Sequence, residues 1–251
     1  MQADPDEEDP IDRGGRNRKR RGDFDEGKPA KIEFNTDNCW FCLSNANAEK
    51  HLIVSVGKKA YAAMPKGPLT EDHVMVLSIQ HVQSMAVADA DLRAEIAAYR
   101  DAFALMADAA DKTLVAFERN FKCSHLQLQL IPVPKTNSRA LRMAFLVAAQ
   151  DHKIELGVLE KDQQIWDIVE EGHPYFYAEL PDGTRLLCTK MRNFPIHFGR
   201  EVLASPELLD CLDKVDWKNC VLEHAKEAEV TNDLKARFKQ YDIVDESDSE
   251  D

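Results

Sequence analysis

Cys123-Ser124-His125-Leu126-Gln127-Leu128-Gln129-Leu130-Ile131-Pro132 is the stretch on which the fold turns. Polar and apolar residues alternate along it, which means an extended chain, because successive side chains of a β-strand point to opposite faces. His125, Gln127 and Gln129 then share one face, and Leu126, Leu128 and Leu130 share the other. Upstream, Leu92, Ile96, Tyr99, Phe103, Met106 and Ala110 recur at spacings of three and four, which predicts a long amphipathic helix over 89–111. Strands are predicted at 51–56 and 60–64 around Gly57, at 73–78, at 114–119 and at 125–131. Strands, one long helix and more strands make an α+β pattern with an antiparallel sheet.

Pro132, Pro134 and the polar stretch after them predict a boundary. Beyond it the sequence predicts a helix over about 138–152 and a hairpin over 175–190 turning through Pro181-Asp182-Gly183. A short helix should end the segment 193–204, and a polar helix should span 223–240. The chain therefore divides into a charged arm at 1–37, a first domain at 38–134, a smaller α+β domain at 135–242 packed against it, and an acidic tail at 243–251.

At 251 residues and 44% hydrophobic content the chain can bury a substantial core. No apolar run reaches the length of a membrane span, and the opening residues do not read as a secretory signal. A net charge of -13 argues against coating a nucleic acid non-specifically. The charge is uneven, however. Arg13, Arg16, Arg18, Lys19, Arg20 and Arg21 form a basic run, within which Arg16, Arg18, Lys19, Arg20 and Arg21 fit a nuclear-localisation pattern. Ser247 and Ser249 sit among Asp and Glu like acidophilic kinase sites.

Without a secretion signal, Cys39-Trp40-Phe41-Cys42 reads as metal or redox chemistry before disulfide. As half of a tetrahedral zinc site it needs two more ligands, and His51, His73, His81 and His125 are the candidates. Arg200 has a forked set of donors suited to phosphate, but such an arginine more often fixes a helix to a neighbouring carboxylate. Trp40, Trp166 and Trp217 read as core or interface residues.

The polar row 125–129 backed by leucines resembles the histidine-triad signature, with the first histidine kept as His125 and the next two replaced by Gln127 and Gln129. The middle triad histidine is the nucleophile of such hydrolases and transferases. An imidazole can attack phosphorus and a neutral amide cannot, so the reading is a non-enzyme. The stretch Asp72–His81 resembles the strand, turn and histidine that precede the helix in that superfamily. Its zinc-containing members imply Cys39, Cys42, His81 and His125 as the ligands of one structural zinc ion.

The similarity narrows further. Cys-Trp-Phe-Cys at 39–42, Phe117-Glu118-Arg119-Asn120, the row 125–134, Phe194-Pro195 with Phe198–Leu203, and Asp216-Trp217-Lys218-Asn219-Cys220 resemble, in this order, the two C-terminal domains of the CwfJ family, the Cwf19-like proteins. That resemblance implies a HIT-like (histidine-triad-like) first domain and a second domain that either accompanies a dimer or replaces the second subunit internally. It implies a nuclear factor of pre-mRNA splicing and intron lariat turnover. The partners it implies are spliceosomal or post-splicing proteins, the lariat debranching enzyme and intron RNA, with no membrane. Gln127, Gln129, Asn193, His197 and Arg200 are the residues expected to face RNA or another ligand. Many members carry a metallophosphoesterase-like domain ahead of these two, and these 251 residues hold none of its Asp/His metal motifs.

Overall fold

A computed structural model describes residues 39–121, 123 and 125–244. The basic run, Ser247 and Ser249 lie outside them. Eight strands form one sheet: β1 (Ile53–Val56), β2 (Ala60–Ala63), β3 (Val74–Ser78), β4 (Lys112–Asn120), β5 (Gln127–Pro134), β6 (Gly157–Val158), β7 (Tyr175–Glu179) and β8 (Arg185–Cys188). Their order is β1-β2-β3-β5-β4-β7-β8-β6, and every neighbouring pair is antiparallel. Five α-helices pack on it: α1 (Ala90–Ala109), α2 (Leu141–Asp151), α3 (Ile165–Ile168), α4 (Phe198–Leu203) and α5 (His224–Phe238). This is the expected mixed α+β class.

The central strand is β5. It lies between β3 and β4, with Met75 and Phe117 both opposite Gln129. The predicted strand at 125–131 in fact runs on through both prolines. Past Leu130 its β3 neighbour has ended and β5 pairs with β4 alone, so one of its edges is open and tolerates residues without an N–H. On its other side β4 pairs with β7, from Ala116 opposite Glu179 to Asn120 opposite Tyr175. The segment after Pro134 thus extends the same sheet.

Alternation divides the side chains between two faces. On one, Val54, Ala62, Val76, Leu126, Leu128 and Leu130 meet Leu92, Ile96, Tyr99 and Phe103 of α1. Asp89 caps α1 by accepting from the Leu92 N–H at 2.7 Å. Phe238 of α5 stacks on Phe103 at 3.9 Å between ring centroids, closing this core. On the other face, Val115, Ile131, Val133, Phe176 and Leu186 are covered by Phe145 of α2 and by Phe198 and Val202 of α4. Helices α2 and α4 cover only part of their face, over β4, β7, β8 and the far end of β5, whereas the opposite face is covered by α1 and α5 and, over β7 and β8, by the α3 segment. Tyr61, Met75, Leu77, Gln127 and Gln129 fall on the uncovered part of the α2/α4 face, and they form a cleft.

Glu118, only 1% exposed, sits on the α1 face. It accepts a hydrogen bond from the Tyr175 hydroxyl and one from the Met85 N–H at 3.2 Å. Burial raises its pKa to about 7, against the partial offset of these donors. The folded state therefore holds a proton that the unfolded carboxylate releases near pH 4.5, so this group's contribution falls as pH rises from about 4.5 to 7. Glu118→Gln removes that slope. In urea unfolding, the stability difference between Glu118→Gln and the parent should move in the variant's favour by roughly 2–3 kcal/mol across that interval. A difference independent of pH would contradict the raised pKa.

Candidate metal centre and glutamine-faced cleft

Three separate segments meet at one end of β5. The first is the turn at Cys39–Cys42, closed by Cys42 N–H to Cys39 O at 3.4 Å. Asn45 Nδ2 donates to Cys39 O at 2.9 Å, and the Tyr61 hydroxyl donates to Phe41 O at 2.6 Å, so β2 holds the turn in place. The second is the loop after β3, carrying His81. The third is His125, two residues before β5 and 1% exposed.

The ligand atoms of Cys39, Cys42, His81 and His125 all lie within 4.8 Å of one another. Cys42 Sγ is 3.1 Å from His81 Nδ1 and 3.8 Å from His125 Nδ1, and Cys39 Sγ is 3.4 Å from His125 Nδ1. With metal bonds of about 2.3 Å to sulfur and about 2.0–2.1 Å to nitrogen, a tetrahedral zinc ion separates such atoms by roughly 3.5–3.6 Å. The three distances bracket that value. The outer shell fits as well. His125 Nε2 lies 2.7 Å from the Ser78 carbonyl, which only accepts, so Nε2 carries the proton and Nδ1 turns its lone pair to the cysteines. Burial pushes the Cys42 thiol up to about 11, with Cys39 adding to the shift, and burial pulls His125 down to about 4. The neutral His125 offers its lone pair, the raised thiol is a cost that a cation would offset, and the convergence of the four donor atoms is what suits a metal ion.

His51 is placed elsewhere. Its Nε2 is 2.8 Å from Glu227 Oε2, and its ring lies 4.0 Å from that of His224. His73 is also apart and fully buried: Nδ1 accepts from Leu69 N–H at 3.2 Å, and Nε2–H donates to Gln129 Oε1 at 2.7 Å. Burial, with Arg200 nearby, pulls its pKa down to about 3 and keeps it neutral.

Beside the cluster the uncovered sheet face opens into a cleft of about 380 Å³. Gln127 and Gln129 line it, as alternation predicts, with Phe117 and Arg119 of β4 next to them. Gln127 Nε2 donates to Cys123 Sγ at 3.1 Å. His197 lines the same cleft, 3.9 Å from Asp216 Oδ1. Trp40 is 67% exposed and Ile196 68%, and they stand at the rim. Trp40 is therefore not a core residue: with both neighbouring thiols turned inward, the chain presents the indole to solvent.

Arg200 borders the cleft but is only 9% exposed. It donates to three backbone carbonyls: from Nε to Val215 at 2.9 Å, and from Nη2 to Gly67 at 2.9 Å and Lys214 at 2.6 Å. It pins two loops rather than pairing with a carboxylate. Gly67 must be glycine for this approach, since its φ is +62° and an added Cβ would lie 2.1 Å from the Trp217 carbonyl oxygen. Asn193 is exposed, has φ of 59°, and does not line the cleft.

Arg119 is one of two cleft cations that residue reading missed; the other, Lys66, is paired with Glu49. Among the described residues the buried Nε of Arg119 has no hydrogen-bond partner, while Nη1 donates to Phe121 O at 3.3 Å. The signal was its alternation with Phe117. The missing information was that β4 lies beside β5 with this face toward the glutamines.

The chain matches two family models in succession. Residues 26–146 match the model for "Protein similar to CwfJ C-terminal", and 149–244 match "Protein similar to CwfJ C-terminus 2". CWF19-like protein 1 homolog from Caenorhabditis elegans is 52% identical over 239 residues, 95% of this chain and 45% of that protein. Human CWF19-like protein 1 is 39% identical over 208 residues, 82% of this chain and 39% of that protein. The chain thus spans less than half the length of these relatives. A solved Zn-bound histidine triad family protein from Mycobacterium smegmatis superposes on 32% of this chain and 64% of its own, at TM-score 0.29 and 16% identity. With both C-terminal models matched in order across nearly all the described residues, the chain belongs to the CwfJ family of CWF19-like proteins.

Proposed function

We propose that this is a non-catalytic, zinc-stabilised module of a nuclear splicing-related factor that engages intron lariat RNA, and with it the lariat debranching enzyme, in post-splicing complexes. The observation that carries the reading is the floor of the cleft. Gln127 stands where the triad resemblance calls for the nucleophilic histidine, and its amide cannot carry a phosphoryl group. What remains is recognition chemistry. The Gln127 and Gln129 amides can meet a base edge, the exposed Trp40 ring can stack on an unstacked base, and Arg119 can meet a phosphate. Cys39, Cys42, His81 and His125 would hold the zinc ion. With all four positions filled by protein its role is structural, fastening the cleft's end.

His197 supports a second reading, a residual nucleotide hydrolase with a different nucleophile, because its imidazole lines the same cleft. One set of assays separates the two. Incubation with nucleoside phosphoramidates and dinucleoside polyphosphates should give no turnover, and crosslinking in nuclear extract should recover lariat intron RNA at cleft residues. Turnover lost in His197→Ala would establish the hydrolase. No turnover and no recovery of lariat RNA or debranching enzyme would leave only a protein scaffold.

A further inference from the structure

The sheet carries a second cavity, on the face opposite the glutamine cleft. Helix α1 covers β2, β3 and β5 on that face, while Ile165 and Val169, in and just after α3, cover Tyr177 and Leu187 of β7 and β8. The two coverings touch where Arg93 lies over Trp166, and beside that contact about 500 Å³ remains between them, a volume typical of ligand sites. Its floor is apolar, with Ile96 and Tyr177, but its walls are not. Arg93, Arg100, Lys161 and Arg185 line it, against the single carboxylate of Glu179. Four cations less Glu179 leave three positive charges in the lining, or two once Asp101, which pairs with Arg100 from outside it, is counted, in a chain whose net charge is -13.

The cations are held rather than loose. Arg93 and Arg100 are seven residues apart on α1 and so lie on one helix face. Arg100 already pairs with Glu179 at 3.0 Å and with Asp101 at 2.9 Å. Arg93 donates from Nε to the Ala88 carbonyl at 2.7 Å, and its guanidinium lies 4.3 Å from the Trp166 ring centre. Arg185 is anchored by the carbonyls of Glu160, at 3.1 Å, and Lys161. Among the described residues, neither Arg93 nor Arg185 has a carboxylate in an ion pair. A concavity over an apolar floor focuses this field, and oriented guanidinium forks match phosphate oxygens.

We propose that this cavity is a second ligand site, for a phosphate-bearing anion: the backbone of a nucleic acid strand or a small free polyphosphate. It is independent of the reading of the glutamine cleft. The test is calorimetric titration of the full, metal-loaded chain at low salt with two probes, inorganic pyrophosphate and a short oligouridylate. Pyrophosphate binding more tightly points to a free polyphosphate. Oligouridylate binding more tightly, with a salt slope that falls by roughly 0.7 for each phosphate contact removed, points to a strand backbone.

In either case, removing Arg93 and Arg185 together as glutamines should weaken binding by roughly tenfold per arginine. Lys161→Gln, at an exposed position with little bearing on folding, should weaken it severalfold. Glu179→Gln should tighten it, a gain that a loosened fold would not give. Binding of neither probe overturns the proposal. So does binding that survives the arginine double variant but is lost in Arg119→Gln, which would move the anion to the glutamine cleft.

Discussion

Protein purified without chelator should carry one zinc ion per chain, and Cys42→Ser should lose it together with roughly 3–5 kcal/mol of stability. The ligands join residues 86 and 39 positions apart, tying the turn 39–42 and the loop after β3 to the start of β5. Without the ion, buried thiols and imidazoles face one another with no charge to organise them. At about 2–4 °C per kcal/mol for a chain of this size, the melting temperature should fall by roughly 10–15 °C. The two hydrophobic cores on the sheet do not include the cluster, so the change should be a lower melting point with the far-ultraviolet spectrum largely kept. Elemental analysis and a thermal scan with and without chelator read both effects, with Cys211→Ser as the control that should retain metal. A metal-free preparation with an unchanged melting point would refute the site.

Arg200→Met should cost about 3–5 kcal/mol in urea unfolding, because it orphans three carbonyls that one buried guanidinium now satisfies. Two of them belong to the loop at 214–215 and the third to Gly67 in the first half of the chain, so the loss should loosen the seam between the halves. Arg200→Lys should recover little, since a point-like ammonium cannot reproduce the planar fork. This measurement separates two roles for the residue. A stability loss below about 1 kcal/mol, accompanied by reduced RNA crosslinking, would return Arg200 to the ligand-binding role that its forked donors first suggested.

Local periodicity made much of the fold legible. The spacing of Leu92, Ile96, Tyr99 and Phe103 specified α1 to within two residues of each end, and the alternation through 126–130 specified which side chains of β5 meet it. Turn chemistry specified the hairpin, whose Gly183 takes φ of +82°. The pieces that escaped are β6, of two residues, and α3, of four, since segments that short complete no period. The four candidate ligands could be named through family resemblance, because their motifs lie in sequence order. The histidine choice was open from the residues alone.

What the tertiary structure decided is adjacency. Nothing local tells β5 to insert between β3 and β4, or β7 to join β4, yet that order puts Arg119 beside the glutamines and Trp40 at the rim of the same cleft. It also sent His51 to Glu227, 176 positions away, and Arg200 to three carbonyls, one of them 133 positions away. Side-chain periodicity is a property of one segment's backbone and is written in that segment. Strand order and the partners of a buried charge follow from how distant segments share one desolvated interior, so they emerge only when the whole chain is packed.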